Sequence, residues 1–269
     1  MNGQTPPLLE KEKQQKSPKS AIFRKHAVVD SGKQGEPKWR MRSFLNFLDK
    51  MIILPLFRVR VTGLENLPDQ RPVLLSPNHL SNVDGLIIFA LSKKLNLSLR
   101  ILGKRELWNI KPLGWVLDHA GILPISREKA DLDTLRTASA VLKAGDSMAI
   151  FPEGTRIRTL DPVSGSEVSK EAALASLGEA SGGAAWLAIR NNVAVIPVGI
   201  SGTERIRPDG MKLMRFPAVN VHFGTPLVPD QVVPKEEFKR KERIAKLTEL
   251  IMSGLGSAVS QAKKDNKER

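Results

Sequence analysis

Apolar residues recur along this chain with two different periods. Short runs rich in Val, Ile, Leu and Phe at 58–62, 73–76, 97–102, 121–125, 147–151, 194–199 and 219–223 predict β-strands. Between them, apolar positions at helical spacing predict helices over 84–93, 113–119, 131–144 and 183–191, with a last helix over 235–255. Alternation of this kind predicts an α/β fold: a layered domain with a largely parallel or mixed central sheet flanked by helices.

The pattern breaks at both ends. Residues 1–38 are polar, rich in Lys and Gln and without apolar periodicity, and read as a disordered basic arm. Residues 39–57 follow with Phe44, Leu48, Met51 and Ile52 at helical spacing and Arg40, Arg42 and Lys50 among them. This is an amphipathic helix that Pro55 ends or kinks. One face of it can pack on the domain, and a bilayer interface can take the other. The main domain is expected over 58–260, and the polar stretch 261–269 reads as a disordered tail. Residues 158–179 interrupt the alternation and read as an insertion.

Charge narrows the partners. Lys and Arg number 42 against 28 Asp and Glu, a formal charge of +14. Residues 1–50 hold 11 of those cations and 5 of the anions, a local net of +6. The balance suits a phosphorylated substrate, an acidic lipid surface or a nucleic acid. Aromatic residues are 5% of the chain and Tyr is absent, so base stacking has little to work with. Cys is absent, which excludes thiolate nucleophiles and Cys-based zinc sites. The N-terminal stretch lacks the apolar core of a signal peptide. The longest apolar run, Met51 to Phe57, is seven residues, against the roughly 20 that a spanning helix needs. Membrane contact, if made, is expected to be peripheral.

Three segments hold the chemistry. In the first, the apolar run Val73 to Ser76 is broken by Pro77-Asn78, and His79 falls in the turn before the next helix. Open α/β sheets place ligands at such strand ends. An imidazole titrates near neutral pH and can accept a substrate proton if a partner fixes its tautomer. Asp84 lies five residues on, roughly 140° around a regular helix. The two can meet only if His79 stands outside the helix. Spacing alone equally allows a polar turn residue and a helix-capping aspartate.

The second segment places Lys104 and Arg105 after one strand and Arg127 after another. The third is Phe151-Pro152-Glu153-Gly154-Thr155-Arg156, again after an apolar strand. Gly154 permits a tight turn with N–H groups aimed at an anion, and Arg156 offers a planar fork for phosphate oxygens. These cations form one pocket if their strands are neighbours. Otherwise they are solvated surface charges.

Together these blocks resemble the glycerophospholipid acyltransferase family, and most resemble its 1-acylglycerol-3-phosphate (lysophosphatidate) acyltransferases. The family's His, four residues, Asp pattern is matched by His79 and Asp84, and its Phe-Pro-Glu-Gly-Thr-Arg block by Phe151 to Arg156. Its Gly-x-x-x-Ile-x-Arg block is matched by Gly121, Ile125 and Arg127, and its apolar block ending in proline by Val195 to Val198. The likeness covers about residues 63–200. The chain departs from the family in the long link after Arg156 and in lacking a lysine near Gly182-Gly183, which bears on how the site is covered.

The resemblance implies transfer of a fatty acyl group from acyl-CoA or acyl-acyl carrier protein to the hydroxyl of a lysophospholipid acceptor. It implies His79 as general base and Asp84 as its orienting partner. Lys104, Arg127 and Arg156 would bind the acceptor phosphate, and Glu153, Gly154 and Thr155 would position substrate. No cofactor or metal is implied, the thioester being a co-substrate. The implied setting is the cytoplasmic face of a cell membrane, held peripherally on an anionic surface, with no nucleic acid. Other acceptors open to the same family are glycerol-3-phosphate, other lysophospholipids and amino lipids.

Overall fold

The computed structural model describes residues 47, 54–95, 97–125, 132–152, 182–206 and 215–267. Its strands are β1 (Arg60–Thr62), β2 (Leu74–Pro77), β3 (Leu99–Lys104), β4 (Leu123–Ile125), β5 (Ser147–Ala149), β6 (Val195–Ser201) and β7 (Asn220–Phe223). They form one seven-stranded sheet in the order β1-β7-β6-β2-β5-β3-β4. Every neighbouring pair is parallel except β6 and β7, which are antiparallel. The sheet is therefore mixed: β1 and β7 run against the other five.

The central strands β2, β5 and β6 are buried along their whole length. This is why they read as continuous apolar runs rather than as alternating ones. Successive residues of β2 serve opposite faces. Leu75 joins a core with Ile87, Ile88 and Leu91 of α1 (Asp84–Lys94), and α2 (Lys111–Ala120) packs on that side through Leu117. Leu74 joins a second core with Val141 of α3 (Leu132–Lys143), Leu187 of α4 (Gly183–Asn191) and Leu247 of α5 (Arg240–Lys267). Helices thus cover both faces, as the alternation predicts.

Element bounds shift where a local signal was misread. The α2 helix starts at Lys111, because Pro112 is well placed in a first turn. Gly121 is its left-handed cap at φ 73°, not the first residue of β4.

The larger correction is at the C-terminal end. The expected disordered tail at 261–269 is, through Lys267, the last turns of α5. Leu255, Ala258 and Ala262 are buried at helical spacing, continuing the stripe begun by Leu247 and Ile251. The stripe thins to alanine there, which hides it among Lys, Asp and Gln. Alanine is required because α5 lies almost on the backbone of β6. A Cβ on Gly199 would stand 2.1 Å from the carbonyl oxygen of Ala258. The expected amphipathic helix at 39–57 falls mostly outside the described residues; within its described end, Leu54–Leu56 forms a single helical turn. The basic arm at 1–38 and the insertion at 158–179 also fall outside them.

Candidate active site

The site grows from the carboxyl end of β2. Beyond Pro77 one last backbone bond, from the N–H of Asn78 to the carbonyl of Val198 at 3.3 Å, ends the pairing, and the side chain of Asn78 takes over. Its Nδ2 donates to the carbonyl of Ile200 at 3.0 Å, and its Oδ1 accepts the N–H of Ile200 at 2.7 Å. Asn78 is 1% exposed, so both bonds are shielded from water. The turn leaving β2 is fastened to β6 as though by one more rung of the ladder. The sequence shows Asn78 only as a strand breaker. Its pairing depends on β6 lying alongside.

His79 comes next, outside the helix, and α1 begins at Asp84. The condition for contact is met: His79 Nδ1 lies 3.0 Å from Asp84 Oδ2. The same oxygen accepts the N–H groups of Leu80 and Ser81, each at 2.6 Å. Asp84 is fully buried, whereas the His79 side chain keeps 22% exposure. An oxygen that accepts three N–H donors fixes the carboxylate, and the carboxylate fixes the ring. Because Nδ1 donates to Asp84, Nε2 is the ring nitrogen that can accept a proton. Ser81 contributes its backbone carbonyl to the N–H of Asp84 at 3.2 Å, so it supports the turn rather than the helix proper.

The ring of Phe151 stands 4.3 Å from that of His79, tilted by 31°. The neighbouring strands explain this. β5 pairs in parallel with β2, so their carboxyl ends, and the residues that follow them, emerge together. Phe151 opens the Phe-Pro-Glu-Gly-Thr-Arg block, so the start of that block is brought against the histidine. Glu153, Gly154, Thr155 and Arg156 themselves lie outside the described residues, as does Arg127. Lys104 is the last residue of β3, paired with Ile125 of β4. Its side chain also lies outside what is described. β5, β3 and β4 are consecutive and parallel, so their carboxyl ends share one edge of the sheet.

A second polar cluster joins β1, β7 and α5. Thr62 Oγ1 donates to Asp265 Oδ2 at 2.8 Å and lies 2.9 Å from His222 Nδ1, while Gln261 donates to Asp265 Oδ1 at 2.9 Å. Burial works against the Asp265 charge. The bonds from Thr62 and Gln261, with the charges of His222 and Arg60, outweigh it and hold the carboxyl below its usual value. Thr62 pairs with His222, and His222 stands opposite Gly199, so the cluster lies toward the carboxyl end of β6, level with the His79 turn and on the other flank of that strand. It fastens the last turns of α5 to the sheet. Among the described residues, no group of His, Cys, Asp and Glu is arranged to hold a metal ion.

Fold and pair together define an α/β protein that carries an aspartate-held histidine at the carboxyl edge of a mostly parallel sheet. A family model for acyltransferases matches residues 58–201, more than half the chain, and the protein belongs to that Acyltransferase family. It is similar to a chloroplastic 1-acyl-sn-glycerol-3-phosphate acyltransferase of Arabidopsis thaliana, with 31% identity over 63% of this chain and 44% of the relative. It is also similar to a 1-acyl-sn-glycerol-3-phosphate acyltransferase of Bacillus subtilis, with 25% identity over 72% of this chain and 84% of the relative. The chain spans less than half the length of the chloroplastic relatives it matches in Arabidopsis thaliana and Brassica napus. Its fold is that of the 1-acyl-sn-glycerophosphate acyltransferase of Thermotoga maritima, with a TM-score of 0.60 at 23% identity, covering 84% of this chain and 83% of that one.

Proposed function

We propose that this protein transfers a fatty acyl group from a thioester donor to the free hydroxyl of 1-acylglycerol-3-phosphate, giving phosphatidate. The observation that carries the reading is the contact of His79 Nδ1 with buried Asp84 Oδ2. With Nδ1 engaged by the carboxylate, Nε2 is the nitrogen that would take the proton of the acceptor hydroxyl. Acyltransferase family membership and the printed activity of the relatives supply the substrate class.

In this mechanism the acceptor hydroxyl gives its proton to Nε2 of His79 as its oxygen attacks the thioester carbonyl. Asp84 steadies the imidazolium that results. The tetrahedral intermediate then collapses, the C–S bond breaks, and the thiolate leaves with the proton returned from His79. Base catalysis of this kind contributes about 10²–10⁴-fold. Lys104, Arg127 and Arg156 bind the acceptor phosphate. Glu153, Gly154 and Thr155 position the substrates. Proton transfer and acyl exchange need no cofactor. Both substrates carry acyl chains, so the protein works on the cytoplasmic face of a membrane, held peripherally. Among the described residues no helix is long and apolar enough to cross one.

The test is incubation of the purified chain with labelled acyl-CoA, or labelled acyl-acyl carrier protein, and a panel of acceptors. Labelled phosphatidate from lysophosphatidate is the expected product. Faster labelling of glycerol-3-phosphate or of an uncharged lysolipid would overturn the acceptor, and no acyl transfer to any of them would overturn the reaction.

A further inference from the structure

The Asp84 bond fixes the imidazole of His79 at one atom, Nδ1, and one point does not fix a plane. The torsion that turns a histidine ring about its Cβ–Cγ bond is broad. By itself, a bond at Nδ1 leaves the ring free to swing about that contact and to carry Nε2 off line. A contact on the face of the ring removes this freedom.

Phe151 makes such a contact. Its ring centroid lies 4.3 Å from that of His79 and the two planes are inclined by 31°, so the phenyl face covers the imidazole face. Phe151 is itself fixed. The N–H of Ile150 donates to the carbonyl of Leu75 at 3.0 Å, which carries the pairing of β5 with β2 one residue beyond Ala149. Phe151 follows at once. It stands two residues after Ala149, the spacing that returns a side chain to the same face of a sheet. Half-buried, it packs against the core to which Ala149, Leu75 and Ile88 belong. Val83, the residue before Asp84, packs against that core as well. The ring therefore rises from the same floor that supports the start of α1. Edge contact and face contact reach His79 from two segments far apart in sequence, and sheet pairing locks those segments together.

We propose that Phe151 is a positioning residue for acyl transfer: its ring, laid against the imidazole, fixes the plane in which Nε2 of His79 meets the acceptor hydroxyl. This role rests on the acyl-transfer reading of the site, since the reaction is what the plane serves. Phe151 moves no proton and acts through His79. Asp84 sets which nitrogen carries the hydrogen, and Phe151 sets where the other nitrogen points. Leucine offers an apolar contact without a flat face, whereas tyrosine keeps the face.

The experiment compares Phe151→Leu and Phe151→Tyr in the full chain, with labelled acyl-CoA and lysophosphatidate as substrates and the denaturant midpoint measured alongside. Phe151→Leu should lose kcat by roughly ten- to a hundredfold, the scale of a slightly misplaced catalytic group, with KM for both substrates near wild type. Phe151→Tyr should keep most of the wild-type kcat. Full kcat in Phe151→Leu overturns the proposal. So does a raised KM with unchanged kcat, which would make Phe151 a wall of a substrate pocket. An equal loss of kcat in both variants, or a loss that only follows a fall in midpoint, assigns Phe151 to packing and overturns it too. Phe151→Met, apolar and without a flat face, repeats the comparison where the leucine variant does not fold.

Relaxation of the His79 ring C–H groups by NMR reads the plane without any substrate, with His79→Ala identifying the signals. The ring should be rigid in wild type and Phe151→Tyr and more mobile in Phe151→Leu. A ring equally rigid in Phe151→Leu overturns the proposal. Wild-type protein that transfers no acyl group, yet whose ring loosens in Phe151→Leu, removes the reaction and leaves the ring contact. Wild-type turnover with ring and kcat unmoved by Phe151→Leu removes only the role of Phe151.

Discussion

Asn78 and Ile200, 122 residues apart, exchange two hydrogen bonds between the side chain of one and the backbone of the other. Everything that follows Asn78 inherits its position from that exchange, beginning with the His79 ring. Replacing Asn78 by Ala leaves the N–H and carbonyl of Ile200 buried without these partners. The expected cost is about 2–4 kcal/mol, from two lost buried bonds, read as a lower midpoint in denaturant. Acyl transfer should lose kcat while KM for the acceptor stays near wild type, because the base is displaced rather than the phosphate pocket. A fall in KM affinity with unchanged kcat would assign Asn78 to substrate binding instead.

His79→Ala should lower kcat by about 10²–10⁴-fold with little change in stability, since the side chain is partly exposed and packs mainly on Phe151. Asp84→Ala should differ in kind. It strands the N–H groups of Leu80 and Ser81 in a partly buried turn, so activity and stability fall together, the latter by about 1–3 kcal/mol. Measuring kcat and the unfolding midpoint for both variants separates a base from its anchor.

Gly199→Ala should destabilise the fold by about 3 kcal/mol. Its Cβ would collide with the backbone of Ala258, which no rotamer change can relieve. Gly85→Ala is the internal comparison. Nothing lies within 4 Å of its Cβ, and it sits in the first turn of α1. It should be neutral or stabilising by up to about 1 kcal/mol. Chemical denaturation of the two variants checks both.

Asp265 gives a pH dependence whose sign is fixed by its environment. Its carboxyl is held below its usual value in the folded chain, so the ionised form favours folding. That contribution is complete above the unfolded value of about 4 and is lost as pH falls through the lower folded value. Asp265→Asn should therefore be less stable than wild type near neutrality, with the gap closing in acid. Thermal unfolding across pH reads the difference. A gap that widens below pH of about 4 would contradict the arrangement with Thr62, Gln261 and His222.

Much of this was legible from local pattern. Seven strands, the helices between them and a layered α/β domain follow from apolar runs and helical spacing. The meeting of His79 with Asp84 was legible as a condition, because five residues cannot span one helix face yet can close a turn. The end of α5 was not. Ala258 and Ala262 carry so little apolar surface that their stripe vanishes among charged neighbours, and only the closeness of β6 shows why they are small. The Thr62, His222 and Asp265 cluster was hidden for a related reason, since its members come from three distant segments.

By itself, then, the order of residues determined the building units and which side chains could do chemistry, because strand, turn and helix preferences act over a few neighbours. Strand order is a long-range choice among many permutations, and packing alone made it. It set β5 beside β2, bringing Phe151 to His79, and it set β6 on the other flank, giving Asn78 its partner. The reversal of β7 against β6 was equally beyond local reading, and it is what sets His222 opposite Gly199, level with the His79 turn.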